Sequence, residues 1–337
     1  MKENFVEILA CPETKAPFKL EVKESQGGEI LSGNLVSTGN GRRYPIIDGI
    51  PRILNEDEIE MNYASNFYYY WTRMDWRVYH ESTRFWELTE WTPEDLKGKF
   101  ILDAGCGGGR WLYHMAKAGG RMVALDYTRA VEKAREECKE FKEIDYIQGD
   151  IFKLPFKNDL FDIVHCHGVL MATPSPEEGV KNLARMVKSG GELAVLLYHE
   201  LTYPQKIINR LVRSIPKRLP RPIAFYLSLI PTFIEYIPGT AWLFSNLIHL
   251  SGQRTFTMKW LHNFDWFTCE YHHRTPYADL KKWYEEMCFG PPRELDTNNF
   301  RKRSRFPWMR VFRKWALEHN LFLKATIGVR GRKRTSV

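Results

Sequence analysis

The chain has 337 residues, 44% of them hydrophobic, enough for one large core or for a large domain beside a small one. Lysine and arginine (49) exceed aspartate and glutamate (41), and the resulting +8 suits anionic partners such as nucleic acid, phosphorylated substrates or an acidic membrane surface. The acidic start MKENFVEILA lacks a long apolar core, which excludes a secretory signal, and the six cysteines form no CxxC pair, so a reducing, cytoplasmic setting is expected.

Residues 1–55 read as a module of their own. EILACPETKAPFKLEV alternates and turns like a small β-unit. GRRYPIIDGIPRIL reads as a turn, a strand, a turn at Asp48-Gly49 and a short strand. Residues 56–99 form an aromatic-rich stretch, including FYYYWTRMDW, with the composition of helices capping a neighbouring surface.

From residue 100 strands and helices alternate. FILDAG, RMVALDY, DYIQGD, LFDIVHCHG and GELAVLLYH read as strands. RWLYHMAKAG, TRAVEKAREECKEF and SPEEGVKNLARMVKSGG read as helices, the last with an acidic first turn and a glycine stop. That rhythm predicts an α/β fold, a parallel sheet with helices on both faces, over residues 100–199. It breaks over 200–273 and resumes in 274–337. There TPYADLKKWYEEMCFG reads as a capped helix with a glycine stop. ELDTNNF and FLKATIGVRG read as the last two strands, with WMRVFRKWALEHN a helix between them.

The stretch ILDAGCGGGR carries the chemistry. An open parallel sheet binds ligands beyond the carboxyl ends of its strands, and glycine lets the backbone turn tightly and approach a ligand. Gly105, Gly107 and Gly109 are each two apart, which is not the G-x-G-x-x-G dinucleotide spacing, and no G-x-x-x-x-G-K-[ST] phosphate loop is present.

With Asp103 before them, these glycines resemble the first motif of the class I S-adenosylmethionine-dependent methyltransferases, and the resemblance extends over residues 100–200. It implies a Rossmann-like, mostly parallel seven-stranded sheet and S-adenosylmethionine as cofactor. Asp103, Gly105, Cys106, Gly107 and Gly109 would form the bend. Asp126, followed by Tyr127, would hold the ribose hydroxyls. Asp150 would cap the adenine amino group with Ile151 flanking the ring, and His165, Cys166 and His167 would occupy the edge facing the methionine moiety.

EILACPETKAPFKL…GRRYPIIDGIPRIL is similar to a small zinc-ribbon family that includes an activator of tRNA methyltransferases. That family shows CPxC and CxxCG; here the positions are Cys11, Thr14, Ser37 and Asn40. One thiolate of four remains, whereas structural zinc wants four nitrogen or sulfur ligands, so the resemblance implies a metal-free ribbon held by its apolar strands. Partner docking, substrate gating and scaffolding are its candidate roles.

Methyl transfer is an in-line displacement that needs alignment, exclusion of water and, for a weakly acidic nucleophile, a base. Two segments are expected to cover the sheet edge. One is the aromatic stretch 63–91, with Tyr68, Trp71 and Arg73 as contacts. The other is the insertion 200–273. Within it, residues 222–250 carry one charged side chain, Glu235, and are interrupted by Pro231, Pro238 and Gly239, which argues against a spanning helix. A packed lid, a hydrophobic tunnel and an interfacial membrane anchor beside the basic run 206–221 remain, in that order.

His199, His262, Asp265, His272 and His273 are the base or substrate-contact candidates. Alternation along a strand keeps His165, Cys166 and His167 from converging on a metal. In many relatives the segment after the fourth strand reads GVLHHTP; here it is GVLMATPSP, and Met171 with Ala172 makes that edge apolar. The expected function is methylation of O, N or C on a small hydrophobic or lipid-like acceptor. The alternatives are an RNA or protein methyltransferase using the module and the basic run 301–314, although no NPPY-type motif follows the fourth strand, and a non-catalytic scaffold.

Overall fold

The N-terminal segment folds as an antiparallel meander: β1 (Phe18–Gln26), β2 (Glu29–Ser37), β3 (Arg43–Ile47) and β4 (Ile50–Ile53). This is a computed structural model, and it describes residues 1–60, 64–73, 83–199, 203–237, 255–295 and 326–335. The turn between β3 and β4 falls on Asp48 and Gly49, both left-handed (φ +50° and +71°), as a two-residue hairpin requires.

Five of the later apolar runs form parallel strands: β5 (Phe100–Ala104), β6 (Arg121–Asp126), β7 (Ile144–Gly149), β8 (Phe161–His167) and β9 (Val187–Tyr198). Two more close the order, β10 (Arg293–Leu295) and β11 (Thr326–Arg332), with β11 antiparallel to β9. The order is β7-β6-β5-β8-β9-β11-β10, so the chain reverses direction across the sheet at β5. This is the Rossmann-like α/β fold that the sequence implies.

The meander does not merely pack on this sheet. β4 pairs in parallel with β7, Arg52 opposite Gln148 and Ile53 opposite Gly149, and the result is one eleven-stranded sheet. Without β4, β7 would present an open edge. The junction is buried and polar: Arg52 donates from Nη2 to Glu132 Oε1 (2.7 Å) and from Nη1 to Gln148 Oε1 (3.1 Å). One hydrophobic core runs through it, from Phe5 and Leu35 to Leu125 and Val195.

Short helices α1 (Glu56–Glu60), α2 (Ser65–Trp71), α3 (Arg84–Thr89) and α4 (Pro93–Leu96) fill the aromatic stretch. α4 starts in a capping box made by Thr92 and Asp95. Helices α5 (Leu112–Lys117), α6 (Ala130–Glu137) and α7 (Pro176–Met186) connect the parallel strands. The insertion supplies α8 (Tyr203–Ser214), α9 (Arg221–Leu227), α10 (Leu229–Ile234) and α11 (Phe256–Thr268), and α12 (Tyr277–Glu286) follows. A second apolar cluster, Tyr70, Phe225, Met258, Leu261 and Phe264, ties α2 and α9 to α11.

Both expected glycine stops are displaced. α7 ends at Met186, because buried Val187 already pairs with Phe161 as the first residue of β9, and Gly190 (φ +75°) lies inside that strand. After α12 the left-handed position is Cys288 (φ +61°) rather than Gly290. The expected helix WMRVFRKWALEHN, the basic run 301–314 and most of ELDTNNF lie outside the described residues. Among the described residues, no helix is long and apolar enough to cross a membrane.

Candidate functional site

The glycine bend joins the end of β5 to α5. Gly105, Gly107 and Gly109 are all left-handed (φ +78°, +53° and +88°), a run that side-chain-bearing residues adopt only at a cost. A Cβ on Gly105 would lie 2.5 Å from Val169 Cγ2, and one on Gly107 would run into the Trp71 indole. The backbone N–H groups of Gly105 and Cys106 donate to the carbonyl of Leu125 (2.7 and 3.0 Å). The N–H of Gly107 donates to Asp126 Oδ2 (2.8 Å), while Asp126 Oδ1 accepts from the N–H and Oγ1 of Thr128 (2.8 and 2.7 Å). Asp126 is thus held at the tip of β6 and fixes the bend. Burial pushes its pKa up, and the Thr128 and Gly107 donors pull against that shift. After β7, Asp150 accepts from the N–H of Phe152 (2.8 Å) and opens the turn Ile151–Lys153; burial also raises its pKa.

These strand ends border a cleft of about 1270 Å³, its open mouth included. Gly105, Cys106, Asp126, Tyr127, Asp150 and Ile151 line it from the β5–β7 side. Helices α2 and α3 contribute Phe67, Tyr70, Trp71 and Arg84. The ends of β8 and β9 contribute His167, Met171, Ala172, Leu196 and Tyr198, and α11 contributes His262 and Asp265.

The titratable groups here are strongly perturbed. Burial, then the Arg84 and Arg110 cations, lowers His262 to about 3, so its imidazole is neutral at neutral pH. Burial lifts Asp265 to about 7 against the pull of Arg213, and its Oδ1 has no hydrogen-bond partner among the described residues. Behind the lining, His165 Nδ1 lies 2.7 Å from Asp103 Oδ1, in a pair fully enclosed beside Phe85 and Trp91. Burial raises Asp103 to about 8, while burial and Arg110 lower His165 to about 3. At neutral pH the pair therefore carries one proton between its two members.

Among the sequence-predicted residues, Gly105, Cys106, Asp126, Tyr127, Asp150, Ile151, His167, His262 and Asp265 meet at the cleft. Gly107 lies beneath Trp71, and Gly109 backs onto Ala134 of α6. The others do not reach the lining. Asp103 and His165 face each other below it. Cys166 points to the opposite face of β8, beside Tyr284, whose pKa is raised by burial first and by this thiol second, while the His165 and His167 rings sit together, 4.2 Å apart. The carbonyl of His199 accepts from Arg274 (3.2 Å). His272 packs against Trp266 and Tyr198 (4.2 and 4.8 Å), and the backbone N–H of His273 bonds Met171. Of the three aromatic-stretch candidates, Trp71 lines the cleft and Tyr68 does not. Arg73 stacks over Tyr69 instead, at 3.5 Å.

Sequence reasoning missed Arg84, Arg110 and Trp111. Arg110 had a signal, since it directly follows the glycine bend; its guanidinium lies 3.8 Å over the Trp111 ring. In the ribbon, Thr14 Oγ1 and Ser37 Oγ are 3.4 Å apart and Cys11 Sγ is 3.9 Å from the Tyr44 hydroxyl, whereas Asn40 turns away to donate to Glu13. Among the described residues no group of three His, Cys, Asp or Glu side chains is placed to hold a metal ion.

Residues 102–195 match the family described as methyltransferase domain, and residues 2–49 match the Trm112p-like protein family. Over 118 residues the chain is 32% identical to the demethylmenaquinone methyltransferase of Lactococcus lactis subsp. lactis, covering 33% of this chain and 46% of that one. Over 100 residues it is 35% identical to a ubiquinone biosynthesis O-methyltransferase of Coxiella burnetii, covering 29% and 43%. The chain thus spans less than half the length of these curated relatives. A solved chain from the complex of the Haloferax volcanii Trm112 methyltransferase activator is 14% identical, with a TM-score of 0.47, over 82% of this chain and 99% of that one.

Proposed function

Taking as premise that the chain carries a class I S-adenosylmethionine-dependent methyltransferase domain behind a Trm112-like module, we propose that it methylates a small, hydrophobic or lipid-like acceptor. One observation carries the reading: a single cleft joins a glycine bend and two carboxylates, Asp126 and Asp150, to a chamber walled by Phe67, Tyr70, Trp71, Met171, Leu196 and Tyr198.

The residues fit the cofactor. Asp126 accepts two donors on Oδ1 and one on Oδ2, which leaves a lone pair on Oδ2 for a ribose hydroxyl. Asp150 uses Oδ1 for Phe152 and leaves Oδ2 for the adenine amino group, with Ile151 against the ring. The bare backbone at Gly105–Gly107 accommodates the methionine end, and Arg84 and Arg110 supply the positive charge its carboxylate needs. When bound, S-adenosylmethionine supplies an electrophilic methyl carbon. The protein's part is positioning and proton management. The aromatic wall orients the acceptor and excludes water. Asp265, with a pKa of about 7 and an open Oδ1, takes the acceptor's proton, and neutral His262 on the same helix orients the nucleophile. The Trm112-like module acts as scaffold, since β4 occupies the edge of β7 within the same chain.

The test is calorimetric titration with S-adenosylmethionine, followed by incubation of methyl-labelled cofactor with a polyprenylated catechol and, separately, with transfer RNA. Label in the organic extract, lost in Asp265→Asn with cofactor affinity retained, is expected. Label in RNA alone would overturn the acceptor class, and failure to bind the cofactor would overturn the reading entirely.

A further inference from the structure

Tyr127 directly follows Asp126 at the end of β6, and both line the cleft where the nucleoside is placed above. Tyr127 is held at both ends. Gln148 on β7 donates from Nε2 to the carbonyl of Tyr127 (3.2 Å), and the Tyr127 hydroxyl donates to Glu58 Oε1 on α1 (2.9 Å). The two anchors come from different parts of the chain, 21 and 69 positions away.

Neither anchor is free to swing. Gln148 is fully buried; its Oε1 accepts from Arg52 Nη1 (3.1 Å), while its Nε2 also reaches the carbonyl of Ile59 (3.0 Å). Donors and acceptors match this amide in one orientation only, because a flipped amide would set its NH2 against the guanidinium and its oxygen against two carbonyls. Glu58 is partly buried in the first turn of α1, and its Oε2 accepts from the backbone N–H of Asn55 (3.2 Å). That bond is the glutamate half of a capping box and fixes the carboxylate against the turn that carries it. Oε2 thus serves the start of α1, and Oε1 serves Tyr127.

Glu58 also lies near Asp150. Burial raises the Asp150 pKa against the pull of the Phe152 bond, and the charge of Glu58 adds to the rise. Glu58, Asn55 and Asp150 line a small hollow, and Asp150 lines the main cleft as well. α1 therefore borders the nucleoside end from a stretch that neither family match covers, since these span residues 2–49 and 102–195. We propose, on the cofactor placement given above, that Glu58 is a positioning residue for the cofactor's nucleoside, acting through Tyr127. A ring pinned at its hydroxyl and its carbonyl already has one orientation, so binding the nucleoside beside it loses no rotamer freedom there. Released from Glu58, the same ring turns about its side-chain torsions, and ordering it again weakens the hold on the cofactor. Glu58 acts without touching the cofactor.

The experiment is calorimetric titration of the full chain with S-adenosylhomocysteine and with methylthioadenosine, which keeps the nucleoside and lacks the amino acid. Glu58→Ala should weaken both by the same factor, about threefold to tenfold. Glu58→Gln still offers an oxygen to the hydroxyl and should stay within about twofold of the parent. Tyr127→Phe keeps the ring and removes the hydroxyl. It should match Glu58→Ala, and Glu58→Ala added to it should cause no further loss beyond about twofold. This cycle separates positioning from helix stability: Glu58→Ala also takes a bond from the start of α1, and a role confined to that helix would add in full to Tyr127→Phe. Three results would each overturn the proposal and leave the cofactor reading in place: additive losses in the double variant, a Glu58→Ala protein that binds as the parent does, or a loss felt by S-adenosylhomocysteine and not by methylthioadenosine. A parent protein that binds neither ligand would overturn the cofactor reading and the proposal with it.

Discussion

Replacing Asp126 by asparagine changes no volume and removes one acceptor. Three donors point at the carboxylate: the N–H of Gly107 on Oδ2, and the N–H and Oγ1 of Thr128 on Oδ1. An asparagine can turn its oxygen to one side only. Turned to Thr128 it keeps two bonds, and its NH2 then faces the N–H of Gly107, donor against donor. Turned the other way it loses two, so the first rotamer wins. The loss is one charge-assisted bond in a buried place, about 1.5–3 kcal/mol. It falls on the residue that holds the glycine bend, which in the function proposed above receives the cofactor. The dissociation constant for S-adenosylhomocysteine, measured by titration calorimetry, should therefore rise about tenfold to a hundredfold. Thr128→Val is the matched control: it removes the hydroxyl's bond to Asp126 and the acceptor of the Ala130 N–H at the start of α6, leaves Gly107 held, and should shift affinity severalfold at most. An asparagine variant that binds within a factor of about two of the parent, with its melting temperature unchanged, would refute the reasoning, as would a valine variant that binds as poorly as the asparagine one.

Two further predictions concern buried charge. Arg52 is enclosed, whereas Glu132 is about a third exposed and is also held by Arg129 (3.0 Å). Arg52→Met therefore leaves a compensated carboxylate and should cost about 1–3 kcal/mol, while Glu132→Gln strands a buried cation and should cost more; chemical denaturation midpoints that rank them the other way would contradict this. The second concerns Asp103, whose pKa rises to about 8 in the fold from its ordinary 3.8. The folded state then holds a proton that the unfolded chain has released, so this contribution is full below pH 4 and disappears as pH climbs through 8. His165 is shifted the opposite way and acts only below its ordinary 6.5. Between pH 6.5 and 8 the parent should lose about 2 kcal/mol relative to Asp103→Asn. Parallel stability–pH curves for the two proteins would show that the pair is not neutral.

The strands and the two acids at the cleft, Asp126 and Asp150, were readable because each depends on local pattern. Apolar runs marked β5 to β9, and Asp126 and Asp150 sit at strand ends whatever the neighbours do. What escaped depends on which strands become neighbours. Asp103 and His165 are 62 positions apart and become partners only through the parallel register of β5 with β8. The pairing of IPRI with β7 was equally hidden, since four buried residues do not say whose edge they cover. Arg84 is one cation in an aromatic stretch and carries no period. The end of α7 was a local contest misjudged: a β-branched residue already committed to the sheet outweighs a glycine three positions later. His199 and His272 lie close to the cleft in sequence, but their rings are not at its wall.

Fusion of the ribbon to the domain alters what dilution can do. Were β4 to come from a separate molecule, its hold on β7 would weaken as protein became scarce. On the same chain the two edges see each other at an effective concentration on the order of millimolar, however few copies exist. The eleven-stranded sheet should therefore persist at abundances where a two-component version would come apart.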